Sequence, residues 1–425
     1  MSGMTDLPIG SPDAAVVYGQ STFHKVQTQA GWMNLQSGPA PTVSTEAPTG
    51  QSAPGYPIVK VLDLTKGDAD TVQVTFMNEF HGKPIVGDTV LTGKFMSSDW
   101  SRDLVRVNQL RGGFSKQKGA QRRTPLDIRT AGQNLIARWS GRVNDQRALV
   151  HLAGARGNQA LKDWEIPLST DPDFATIMVN PVKAPSYNRR FVIGSPMGGS
   201  VADIGITDIL SLQDVSDFIS QLQSSETPLA PVVIDDDEYD WNATHILWVP
   251  KVVWSILKRP KALVDWKSAL ASSIARFDGT RKHPLFAGDS IMWDNVLIKP
   301  MDRYAITFSP GATVVADTGA TGTYTEGNET VPTTSVNHYV GRSILVGAQA
   351  LIQAFGSEGQ DSSAWRWNEE WADHKNSVEI SVAMVDGFKK ATFVVEGKQT
   401  DLGVATIDSY APPYGTAQYA AAMAL

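Results

Sequence analysis

"RRTPLDIRTAGQNLIARWSGRVNDQRALVHLAGARG", residues 122–157, is the stretch whose reading decides the fold. Thr124 is a good N-cap, Pro125 suits the first helical position, and Asp127 favours the positive end of a helix dipole. Leu135, Trp139, Val143 and Val150 recur at intervals of four and seven, which predicts one apolar stripe. A helix from Pro125 to Ala153 is about 29 residues and roughly 44 Å long. That is far beyond the usual helix of about 11 to 12 residues. The rod is also rich in arginine, although the chain carries a formal net charge of -7.

The charge is concentrated. Between Arg102 and Arg147 stand eleven cations (Arg102, Arg106, Arg111, Lys116, Lys118, Arg122, Arg123, Arg129, Arg138, Arg142, Arg147) and three acids (Asp103, Asp127, Asp145). That is a surplus of eight, so the rest of the chain carries -15. Such a strip either grips phosphates or meets the acidic surface of another copy. Arginine pairs in bidentate fashion with carboxylate and phosphate alike, so composition leaves both open.

Outward from the rod, residues 37–57, "SGPAPTVSTEAPTGQSAPGYP", are too polar and proline-rich to build a core. Before them, "AVVYGQSTFHKVQTQAGWM" predicts a short amphipathic helix, and residues 1 to about 70 read as an extended arm. "DTVQVTFM", "KPIVGDTVLTG" and "LVRVNQLRGGFS" read as strands of a long β-hairpin loop over 69–120. Beyond the rod, "DILSLQDVSDFISQLQSS" and "VDWKSALASSIARF" read as helices, and "THILWVPKVVWSILKRP" as a strand entering a helix. "DNVLIKP" and "YAITFS" read as strands, "ADTGATGTYTEGNETVPTTS" as a loop, and "RSILVGAQALIQAFG" as a helix. "NSVEISVAMVDGFKKATFVVE" reads as two strands around a Val-Asp-Gly-Phe turn. The class is α+β without regular βαβ alternation or a fixed repeat.

The 425 residues suffice for two or three compact units, and 42% hydrophobic with 19% charged residues is globular composition. With no cysteine there is no disulfide, thiol nucleophile or cysteine zinc site. No secretory signal or membrane-spanning run is visible, so the expectation is a soluble protein made in the cytoplasm. Catalytic patterns are missing as well. "EFHGKPIV" has a Gly-Lys followed by Pro rather than Ser or Thr, and the serine of "GSPMGGS" is misplaced for a nucleophile elbow. The seven histidines share no metal-ligand spacing. "DDDEYD", residues 235–240, lacks the glycine and the alternation of a calcium loop and reads as a solvated acidic loop at a subunit contact. Trp365 and Trp367 in "WRWNEEW" have strand spacing and read as core. We expect no enzyme, cofactor or metal.

Six stretches in order carry a resemblance: residues 107–154, "APSYNRRFV", "HILWVPKVVWSIL", "HPLFAGDSIMWDNVLIKP", "RSILVGAQALIQAFG" and residues 376–411. In this order they resemble the major capsid proteins of tailed bacteriophages. More narrowly, they are similar to the family of short-tailed phages with virion-packaged polymerases and their relatives. The resemblance implies an arm (1–70), an extended hairpin loop (71–123), a peripheral domain with a spine helix (124–200), an axial domain (201–360), and closing strands with a C-terminal tail (361–425). It implies hexamers and pentamers forming an icosahedral shell around double-stranded DNA, bound without sequence specificity, in the virion after assembly in the host cytoplasm. Portal, scaffold and decoration proteins are the further partners it implies, and no membrane. In such shells the hairpin loop lies across a neighbour. The expected subunit contacts are basic Arg111, Lys116, Lys118, Arg122 and Arg123 against acidic Asp235, Asp236, Asp237 and Glu238. The arm is expected to become ordered only on neighbouring subunits. Two rivals remain at this point: a cellular nanocompartment shell of the same fold, and a soluble nucleic-acid-binding protein using the rod.

Overall fold

The computed structural model describes residues 31–38, 50–62 (except 53–54), 71–77, 100–117, 128–158, 164–233 (except 226), 244–277, 289–315 (except 302–303), 333–356 and 365–425 (except 396–397), with scattered positions between 9 and 26. Its helices are α1 (Gly31–Asn34), α2 (Ile128–Ala153), α3 (Asp173–Met178), α4 (Leu212–Gln223), α5 (Lys251–Leu257), α6 (Leu263–Phe277) and α7 (Ala417–Ala424).

Two sheets organise the chain. The first joins β1 (Gly50–Gln51), β2 (Ile58–Leu62), β14 (Leu351–Phe355), β16 (Ser377–Lys390) and β15 (Trp365–Ala372), with β5 (Asn108–Gln117) also on β16. The second runs β6 (Arg190–Val192), β19 (Val404–Tyr410), β13 (Val340–Val346), β7 (His245–Pro250), β9 (Val296–Met301), β8 (Ile291–Trp293), with β10 (Ile306–Phe308) on β13. Three two-stranded pairs complete the described sheets: β3 (Thr71–Met77) with β4 (Trp100–Arg106), β11 (Thr313–Val315) with β12 (Thr333–Ser335), and β17 (Thr392–Val395) with β18 (Lys398–Asp401).

Helix α2 ties the two sheets together. Its 26 residues span about 39 Å. The first half lays Ile136, Ala137 and Val143 on Trp365, Trp367, Ile380 and Val382 of the first sheet. The second half places Ala148, Leu149, Leu152 and Ala153 in the core with Ile246, Trp248, Ile344 and Val346 of the second. Every residue from Val143 to Gly154 is buried. Gly154, at φ +64, ends the helix where an added Cβ would meet the Lys183 carbonyl at 2.4 Å. The opposite face of the second sheet carries α4, α5 and α6 through Phe218, Trp254, Trp266 and their neighbours. Ser211 and Asp214 close a capping box at the start of α4, fixing its entry.

Several sequence expectations change. The expected stripe was wrong at Leu135, which is 65% exposed; Gln133, Ile136, Ala137 and Ser140 face inward instead. Small residues let the neighbours approach: a Cβ on Gly132 would strike Phe114, and one on Gly112 would strike Trp139. Residues 342–356 form β13 and β14 rather than a helix. Both strands are buried throughout, and a strand covered on both sides shows a continuous apolar run that periodicity cannot separate from a helix. "LVRVNQLRGGFS" is not a single hairpin strand: β4 pairs with β3, whereas β5 joins β16 over ten residues. Within residues 1–70, Tyr18, Thr22, Val26 and Met33 are buried in the same chain and β2 pairs in parallel with β14. The expected cap at Thr124, Pro125 and Asp127, the strand at 83–93 and most of the polar loop at 316–335 lie outside the described residues.

The Val-Asp-Gly-Phe turn is also absent, because Val385 to Phe388 run straight through β16. Gly387 is there for close approach: a Cβ at this position would lie 1.9 Å from the Arg106 carbonyl oxygen. Backbone cannot step aside as a side-chain tip can. Gly387→Ala is therefore expected to destabilise the subunit by about 1–3 kcal/mol. The check is a lower denaturation midpoint at unchanged slope; an unshifted midpoint would mean that the hairpin base yields freely.

Candidate functional site

The rod's arginines answer to carboxylates of their own chain. Arg129 makes a bidentate pair with Glu369, Nε to Oε1 and Nη2 to Oε2, both at 2.6 Å. Its guanidinium lies 4.1 Å from the Tyr18 ring centroid, and Trp367 Nε1 donates to the same Glu369 at 2.9 Å. Arg142 pairs with Glu165 at 2.5 Å. Arg147, fully buried, donates to Asp386 at 2.6 Å and lies over Phe388. Arg138 faces solvent. Three of the four arginines in α2 are thus committed inside the subunit and do not form a phosphate-gripping row.

Strand β16 is the hub of a buried charged lock. Asp386 receives Arg147 from α2. Lys389 donates to the carboxylate of Asp103 and to the Leu104 carbonyl at 2.8 Å, both on β4. Thr392 Oγ1 donates to the same carboxylate at 3.3 Å. Lys390, pointing the other way, donates to Asp401 at 2.8 Å and to the Ala184 carbonyl at 3.0 Å. Asn180 completes the hairpin root. Its Oδ1 accepts from Arg106 N at 2.9 Å, and its Nδ2 donates to the carbonyls of Arg106 (2.8 Å) and Phe388 (3.0 Å). In the second sheet Arg342 grips Asp408 twice at 2.8 Å and caps the Ala153 carbonyl at the end of α2 at 3.0 Å.

Buried pairs contribute little net stability over apolar packing, yet removing one partner is costly, so they hold geometry. Here they fix the hairpin base against the spine and the spine against both sheets. Burial lowers the pKa of Lys390, with the Asp401 carboxylate opposing that shift. Burial likewise lowers Arg189 to about 10, and its side chain donates to the Asp401 and Thr227 carbonyls.

His151 lies beside this lock. Burial, then the charge of Arg147, lowers its pKa to about 3, and its Nε2–H donates to the Met178 carbonyl at 3.4 Å. The folded value is below the unfolded value of 6.5. The unfolded chain therefore binds more protons between these pH values, and stability falls as pH drops from 6.5 towards 3. The expected slope is about 1.4 kcal/mol per pH unit from this group. His151→Gln should flatten that part of the acid-unfolding profile; an unchanged slope in the variant would remove His151 as its source.

Of the expected contact residues, Arg111 is exposed on β5, on the side away from α2. Lys116 is the last residue but one of the same strand, but its side chain lies outside the described residues, as do Lys118, Arg122, Arg123, Asp235, Asp236, Asp237 and Glu238. The lock residues Asp386, Lys389, Lys390, Asp401, Arg342, Asp408 and Asn180 were missed. The available signal was "DGFKK" and "SYNRR", charges set inside apolar strand sequence, which calls for partners. Among the described residues no helix is long and apolar enough to cross a membrane, and no cluster of three or more His, Asp or Glu is placed to hold a metal.

Comparison with known proteins then decides what the framework is for. The profile of the family described as phage capsid protein matches residues 9–413, nearly the whole chain. The chain belongs to the phage capsid protein family. A curated relative, the major capsid protein of Pseudomonas phage KPP25, is 24% identical over 347 residues, covering 79% of this chain and 82% of the relative. The capsid of Ralstonia phage GP4 superimposes with a TM-score of 0.67 at 21% identity, covering 86% of this chain and 90% of that one. The cyanophage Pam1 capsid gives 0.54 at 17% identity, covering 84% and 90%. The fold is thus that of tailed-phage capsid proteins, in the α+β class. The chain is a major capsid protein, a structural subunit of the virion shell built from copies of itself, and the nanocompartment and nucleic-acid-binding readings fall away.

Proposed function

We propose that the chain assembles into hexamers and pentamers that close an icosahedral shell around double-stranded DNA, holding the genome without reading its sequence. The observation that carries this reading is the family match over residues 9–413. The hairpin root supports it: Val72, Val74 and Val105 of β3–β4 are buried with Val59, Val61, Ile352 and Ala354 of the first sheet, and Lys389–Asp103 and Asn180 hold the same base. A root fixed in this way delivers the loop to a defined place on a neighbour. In this reading 71–123 is the hairpin loop, 124–200 the peripheral domain, 201–360 the axial domain and 361–425 the closing segment, with 1–70 leading in. Basic Arg111, Lys116, Lys118, Arg122 and Arg123 meet the acidic run Asp235, Asp236, Asp237 and Glu238 of another copy. Each such contact is weak, and their repetition stabilises the closed shell.

The subunit performs no catalysis in this reading. Assembly takes place in the host cytoplasm, with a portal, a scaffold and decoration proteins as further partners. The test is the content of purified particles. Nuclease-protected double-stranded DNA of uniform length is expected; particles filled with an enzyme cargo instead would overturn the genome-shell reading.

A further inference from the structure

Residues 178–180 form a turn that their sequence resists. Val179 stands at φ +66 and ψ -55, and Asn180 N donates to the Met178 carbonyl at 2.7 Å across it. These are the angles of the tight γ-turn, which is rare and strained. The other described non-glycine residues with positive φ are Asp, Asn, Gln, His or Lys. Val179 alone among them is branched at Cβ, and a branched residue is a true outlier there. Such an angle persists only where the surroundings hold it from both sides.

Both sides are held here. Before the turn, Val179 N donates to the Ala175 carbonyl at 3.2 Å, Met178 is buried, and the Met178 carbonyl also accepts from His151 of α2. After it, the buried Asn180 side chain bonds both the N–H and the carbonyl of Arg106, as a neighbouring strand would. Arg106 ends β4, and only Val107 separates it from β5. It is the joint at which the chain leaves the β3–β4 pair for the first sheet. If Val179 turned to an ordinary negative φ, the peptide to Asn180 would rotate and carry the Asn180 amide off Arg106. Strain at Val179 thus opposes the seating of the joint, while the buried Val72, Val74 and Val105 and the Lys389–Asp103 pair favour it.

We infer that Val179 is a strained catch at the hairpin root. The seated joint is the favoured state, and the strain keeps a released state, with Asn180 off Arg106, close to it in free energy. In the released state the β3–β4 pair re-aims about Arg106. The use of the catch rests on the shell reading. Identical chains that form both hexamers and pentamers set their hairpins on neighbours at different angles, and a hinge at one residue supplies that freedom.

The test is amide hydrogen exchange of the unassembled full chain, read at the Arg106 amide, which donates to Asn180 Oδ1. Amides of β13, buried throughout in the second sheet, report global unfolding alongside. Glycine takes positive φ as readily as negative, and alanine lacks the branch. Arg106 exchange relative to β13 is therefore expected to slow from the unmodified chain through Val179→Ala to Val179→Gly, several-fold in all. Asn180→Ala is expected to speed it several-fold. Val179→Gly is also expected to cut the yield of closed particles several-fold, because its hairpins stay seated. Arg106 exchange in Val179→Gly that is unchanged or faster overturns the catch, and the free subunit alone decides this. Slowed exchange with a normal particle yield overturns its role in assembly. Failure of the unmodified chain to form particles overturns the shell reading and leaves the exchange result standing.

Discussion

Asp408→Ala is expected to cost the subunit about 3–5 kcal/mol of stability. Arg342 and Asp408 are opposite one another on β13 and β19, joined by two 2.8 Å bonds, and both side chains are completely buried. Removing the carboxylate leaves a guanidinium in the core with the Ala153 carbonyl as its one acceptor among the described residues. A domain's whole stability is about 5–15 kcal/mol, so this loss leaves the subunit marginal. The check is urea unfolding of unassembled subunits followed by tryptophan fluorescence. Replacing the pair together, Arg342→Met with Asp408→Leu, should recover part of the loss. Recovery stays incomplete, because the Ala153 carbonyl then loses its donor, at about 1–3 kcal/mol. A single variant as stable as the unmodified chain would show that the pair does not anchor the spine.

Reversing Lys116, Lys118, Arg122 and Arg123 to Glu together is expected to abolish shell formation and leave the subunit folded. Four reversals move the net charge by eight, from -7 to -15, and turn the basic feed to the spine acidic. Placing like charges in a contact costs several kcal/mol, and the cost recurs at each copy in a shell. The internal pairs of Arg129, Arg142 and Arg147 are untouched, so the monomer has no reason to unfold. Light scattering, electron microscopy and a normal unfolding midpoint check both halves of the expectation. Normal shells from this variant would remove these residues from assembly.

The sequence is legible where one physical signal dominates. Amphipathic periodicity marked α4, and alternation marked β3 and β15 with Trp365 and Trp367 inward. It misled where burial is complete. In α2 the exposed Leu135 and the buried Arg147 invert the usual polarity, because the second half of that helix is enclosed by two sheets and selects side chains by partner. Residues 342–356 failed for the same reason, as strands hidden on both faces. Gly387 looked like a turn, whereas its role is to let the Arg106 carbonyl come close. The lock could not be read because its members lie up to 289 residues apart, as from Asp103 to Thr392, and only the fold brings them together. The excess of arginine was visible; that most of it in the rod serves internal carboxylates was not.

The central claim is that this chain is a shell subunit whose internal charges hold one geometry so that its surfaces meet copies of itself. Electron cryomicroscopy of the purified full chain across protein and salt concentrations tests it most directly. Closed icosahedral particles, with the hairpin of each copy resting on a neighbour, are the expected result. A compact monomer at every concentration and salt tried would contradict it.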